Sequence, residues 1–85
     1  MASRTILILD DEPALAGLYA AALEGAGHDV VVCTGFEEAR AHLKHDVPAG
    51  LVTDVRVGEY NGLQLALLFR SVSPAGAIMV VSGHD

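Results

Sequence analysis

Ile6-Leu7-Ile8-Leu9-Asp10-Asp11-Glu12-Pro13 decides how this chain is read. Four consecutive apolar residues describe a strand covered on both faces, as in parallel sheets. Three acids close the run, and Pro13 stands where proline suits a first helical turn behind negative charge. Leu15, Leu18, Tyr19, Ala22 and Leu23 then recur at helical spacing, predicting the inward stripe of a helix from Pro13 to about Glu24. Gly25 and Gly27 stop it. A buried strand feeding a helix is half of a βαβ unit, and the same alternation continues downstream.

Val30-Val31-Val32-Cys33 reads as a second strand. Thr34 and Glu37 form a capping-box pattern, opening a helix with Phe36, Ala39 and Leu43 on its inner side. Leu51-Val52-Thr53 is a third strand, closed by Asp54. A loop from Val55 to Gly62 leads to a helix marked by Leu65, Leu68, Phe69 and Val72, with Leu67 on its opposite side. Ile78 to Val81 is a fourth strand, followed by Ser82-Gly83-His84-Asp85. The order βαβαβαβ predicts an α/β fold: a parallel sheet with right-handed crossovers and helices on both faces.

Composition narrows the function. Eighty-five residues make room for one small domain, and 52% hydrophobic content supplies a core. A net charge of −6 argues against direct binding of nucleic acid, which needs clustered Lys and Arg. Apolar runs reach only about five residues, too short for a membrane span. The N-terminus lacks a secretory pattern. A lone cysteine, Cys33, fits a reducing, cytoplasmic compartment.

In such sheets ligands sit beyond the carboxyl ends of the strands. Asp10 and Asp11, Asp54 and Ser82 stand at three of those ends. If strands one and three are neighbours, about 4.8 Å apart, their carboxylates can share a hard cation. Mg2+ suits all-oxygen ligands and leaves room for a phosphate. Glu12 reads as a helix-start residue. His42 and His45, three apart, read as solvated on a polar helix face. His28 reads as surface, and Cys33 as buried and inert.

These residues resemble the receiver domains of two-component response regulators. The resemblance rests on Ile6 to Pro13, on Leu51-Val52-Thr53-Asp54 with Asn61-Gly62 further on, and on Val80-Val81-Ser82-Gly83. It covers almost the whole chain, residues 1–85 being read as one receiver domain. It implies a flavodoxin-like, doubly wound sheet of order 2-1-3-4. It also implies that Asp54 is the phosphoacceptor, that Asp10, Asp11, Asp54 and the backbone carbonyl of Arg56 hold Mg2+, and that Ser82 is the switch hydroxyl. His84 would overlook the pocket and, with Arg56, set how quickly water reaches the acyl phosphate. The implied partners are a sensor histidine kinase or phosphotransfer protein, and an output domain or protein. The implied role is that of a switch and not an enzyme.

The sequence departs from the family pattern in two places. Val57-Gly58 stands where a Met-Pro pair is usual. The family also continues past the switch residue with a helix, a strand ending in lysine, and a final helix; here the only lysine is Lys44. The expected fold therefore lacks that last helix-strand-helix, leaving strand four as an open edge for self-association and the sheet face near Ile6 and Ile8 bare. Two alternatives stand beside the phosphoacceptor reading. One is a degenerate receiver used only for protein contacts. The other is a haloacid-dehalogenase-like Mg2+ phosphatase, although Arg56 occupies the place of the second Asp which that chemistry needs.

Overall fold

A computed structural model describes residues 4–57 and 60–81. Strand β1 (Thr5–Leu9) leads to α1 (Pro13–Gly25), β2 (Asp29–Cys33), α2 (Phe36–His45) and β3 (Gly50–Asp54). Two short strands, β4 (Arg56–Val57) and β5 (Tyr60–Asn61), precede α3 (Gly62–Val72) and β6 (Ala77–Val81). The main sheet is parallel, in the order β2-β1-β3-β6. With β6 as the fourth strand of the sheet, this is the expected 2-1-3-4 arrangement.

Alternation along the strands divides the core in two. Leu7, Leu9, Cys33 and Leu51 face α2 and α3, where Phe36, Ala39, Leu43, Leu65 and Phe69 complete the larger cluster. Ile8 and Val52 face α1 and are sealed by Ala16. One helix on one face and two on the other make a three-layer sandwich. On the α1 face, Val32 on β2 and Met79 on β6 remain exposed because a single helix cannot cover four strands.

Four expectations are corrected. The inward stripe of α1 is Leu15, Ala16, Tyr19, Ala20 and Leu23, whereas Leu18 is 67% exposed and Ala22 faces solvent. Small Ala16 lets the helix approach the sheet closely. The capping box is also displaced: α2 has Gly35 at its N-cap, Glu37 pairs with Arg40, and Glu38 accepts the hydrogen bond from the Thr34 amide at 3.2 Å. The loop after β3 contains an antiparallel ribbon pairing Arg56 with Asn61 and Val57 with Tyr60. Finally, only part of the face expected to be open is so: Ile8 is wholly buried beneath α1, whereas Ile6 is half-buried at a recess it shares with Ala77 and the exposed Met79.

Candidate acidic site

Asp10 leaves β1 with its amide bonded to the Cys33 carbonyl at 3.1 Å, which extends the ladder to β2 by one residue. Its Oδ1 accepts from the Glu12 amide at 2.9 Å and so turns the chain into α1. Its Oδ2 is buried, and no hydrogen bond reaches it from the described residues. Asp11 beside it is exposed. Across the β1–β3 pair, Asp54 ends β3, only 2% exposed. The Arg56 amide lies 3.5 Å from Asp54 Oδ1.

Asp10, Asp11 and Asp54 each offer a carboxylate oxygen, and these oxygens lie within 4.8 Å of one another. Among the described residues no other group of three His, Cys, Asp or Glu side chains is so placed. Burying carboxylates at such spacing costs free energy unless a cation or donor compensates. The hard oxygen set and the buried Asp10 Oδ2 fit a divalent metal ion.

The backbone around Asp54 is held from three sides. Thr53 Oγ1 donates to the Asp54 carbonyl at 3.0 Å, the Val55 amide to the Val81 carbonyl at 3.0 Å, and the Gly62 amide to the Val55 carbonyl at 2.6 Å. Asn61 Oδ1 then caps α3 by accepting from the Leu63 amide at 2.8 Å. Thr53, wholly buried, was hidden in the sequence as one polar residue within an apolar strand.

The remaining candidates are dispersed. Arg56 begins β4 beside the pocket, with an exposed side chain. Ser82 and His84 lie outside the described residues, although Val81, just before Ser82, pairs with Asp54 in the sheet register. His28 and His45 are exposed. His42 is half-buried on α2, with Nε2 reached by no hydrogen bond from the described residues. Cys33 is buried; burial, with the Glu38 charge adding to it, pushes its thiol from 9.0 to about 11.

The model of the response regulator receiver domain matches residues 6–85. The chain belongs to that family. This receiver domain is 33% identical over 85 residues to the two-component response regulator PprB of Pseudomonas aeruginosa, covering 95% of the chain and 31% of PprB. It thus spans less than a third of that relative's length. A response regulator receiver protein from Sinorhizobium medicae superposes with a TM-score of 0.90 at 33% identity, covering 98% of this chain and 68% of that one. A response regulator from Burkholderia pseudomallei, solved with a phosphorylated aspartic acid, a calcium ion and citrate, gives a TM-score of 0.87 at 25% identity, covering 98% and 49%. The family match sets aside the haloacid-dehalogenase alternative. No helix among the described residues is long and apolar enough to cross a membrane.

Proposed function

We propose that this receiver domain accepts a phosphoryl group on Asp54 from a phosphohistidine of a sensor histidine kinase or phosphotransfer protein, and relays the change to an output domain or protein. The reading rests on one observation above all: a buried strand-end carboxylate with two further carboxylates within 4.8 Å. An Asp54 oxygen attacks phosphorus, the bond to the donor imidazole breaks, and an acyl phosphate forms. The nucleophile is a carboxylate oxygen, which has no proton to shed in the attack, so the step calls for no general base. Bound Mg2+ would neutralise charge building on the phosphoryl oxygens.

Asp10, Asp11 and Asp54 would hold that ion, together with the Arg56 carbonyl. The Burkholderia relative, with its phosphorylated aspartate and calcium, supports both halves of this reading. Ser82, next after the Val81 that pairs with Asp54, would be the switch hydroxyl. The domain acts as a phosphorylation switch, not an enzyme, and works in the cytoplasm, where Cys33 stays reduced.

A second reading is a receiver used only for protein contacts, which the exposed Leu63, Leu67, Leu68 and Val72 of α3 would serve. Incubation with a small phosphodonor and Mg2+, followed by intact mass measurement, separates the two. One added phosphoryl group on wild type and none on Asp54→Asn supports phosphoacceptance. Equal gain in both proteins refutes the assignment to Asp54, and no gain in either favours the contact-only reading.

A further inference from the structure

α3 is apolar nearly all round. Leu65 and Phe69 fill the core, yet Leu63, Leu67, Leu68 and Val72 are exposed, Leu67 to 73%. Only Gln64, Arg70 and Ser71 are polar on its outer side, where a surface helix is ordinarily polar throughout, and contiguous exposed apolar surface marks an interaction site. A groove runs here between α2 and α3. Phe36, Gln64, Leu67 and Ser71 line one end, Leu43 and Val72 line the other, and Leu68 and Arg40 belong to both.

The charge on this groove runs against that of the chain. The protein carries −6 overall, yet Arg40 and Lys44 both stand on the groove wall. Glu37 lines one end and pairs with Arg40 at 3.1 Å, while Lys44 makes no hydrogen bond or ion pair with the described residues. Two of the other bases are committed elsewhere, Arg4 to the Gly27 carbonyl and Arg70 to the carbonyls of Pro74 and Gly76. Symmetric pairing of two copies through this groove would gather two Arg40 and two Lys44 side chains at one interface against only two Glu37 side chains, an excess of positive charge that opposes it.

We propose that the α2–α3 groove docks an amphipathic helix of a partner protein, one whose apolar anchors are flanked by Asp or Glu. The anchors would lie on Leu67, Leu68 and Val72, and the acids would meet Arg40 and Lys44. The groove shares no residue with the acidic pocket, so its docking can be tested without the phosphoryl step. Helix-in-groove recognition of this kind reads anchors one and two turns apart.

The test uses two labelled synthetic helices, identical in their leucine anchors but flanked by Glu in one and Lys in the other, titrated with the 85-residue chain by fluorescence anisotropy. The Glu helix should bind and weaken with added salt. Arg40→Glu with Lys44→Glu should lose about tenfold in affinity for it and gain affinity for the Lys helix, as charge complementarity requires. Leu67→Asp should weaken both, with circular dichroism confirming that each variant is folded. The proposal is overturned if neither helix binds, if the two bind alike, or if Leu67→Asp has no effect. It is equally overturned if sedimentation shows that the Leu67 face pairs copies of the chain.

Discussion

Gly62 sets its bare Cα against the main-chain carbonyl of Asp54: a Cβ there would overlap that oxygen and stand 2.6 Å from Thr53 Oγ1. The start of α3 and the end of β3 are therefore pressed together at the residue on which the proposed chemistry depends. The Asp54 carbonyl cannot yield cheaply, since it is backbone. Gly62→Ala should destabilise the fold by about 1–3 kcal/mol, the usual range for overpacking, and lower phosphoryl uptake at Asp54 as its backbone is displaced. Urea unfolding and mass measurement after phosphodonor treatment check the two effects. A variant of wild-type stability and uptake would show that the contact relaxes freely.

Mg2+ should raise the melting temperature. The ion binds a pocket that exists only in the folded chain, so its contribution is RT ln(1 + [Mg2+]/Kd), about 1.4 kcal/mol at ten times Kd. Asp11→Asn removes one of the three carboxylates at an exposed position, and should abolish most of the response without harming the fold. Thermal melts of both proteins over a Mg2+ series provide the measurement. An unchanged wild-type Tm, or an equal shift in the variant, would rule out an acidic metal site.

Cys33 makes stability depend on alkaline pH. Its folded thiol titrates at about 11 against an ordinary 9.0, mainly because it is buried. Between those values the unfolded chain has released the proton and the folded one still holds it, so stability falls as pH rises from about 9 toward 11. The full effect is about 3 kcal/mol, from the two-unit difference. Urea midpoints for wild type and Cys33→Ala should converge over this window, because the alanine variant begins less stable but lacks this loss. Parallel curves would mean that the thiol ionises as readily folded as unfolded.

The outer edge of β6 pairs with nothing among the described residues, and Met79 on that strand is 60% exposed. Open apolar edges recruit other chains. The 85-residue polypeptide should therefore self-associate with rising concentration, and Met79→Lys should shift it toward monomer. Light scattering across a concentration series decides the matter; a monomer at every concentration would show that the edge is adequately protected.

The strands and the acidic cluster were legible in the sequence for the same reason. In a sheet buried on both faces each strand is a continuous apolar run, and its end is announced by the first charge, as at Leu9-Asp10 and Thr53-Asp54. The facing of the helices was harder to read. α1 is apolar on nearly every side, so periodicity could not distinguish a stripe through Leu18 and Ala22 from the true one through Ala16 and Ala20. Leucine is the more hydrophobic residue, but the smaller alanine lets α1 come closer to Ile8 and Val52. The same ambiguity makes Leu68 and Val72 of α3 look like core when both are exposed. The β4–β5 ribbon, two residues to a strand, is too short to leave any alternation.

β1 lies between β2 and β3, and it meets β3 only after the chain has passed through two helices and another strand. Asp10 and Asp54 therefore belong to distant parts of the chain that share no local structure. No hairpin, isolated helix or single βαβ unit from the first half of the chain contains both halves of the pocket, and closing so long an intervening loop has its own entropic cost. The acidic site is thus a certificate of finished topology: a cation held there reports that the distant crossover has closed, not merely that one loop has taken shape.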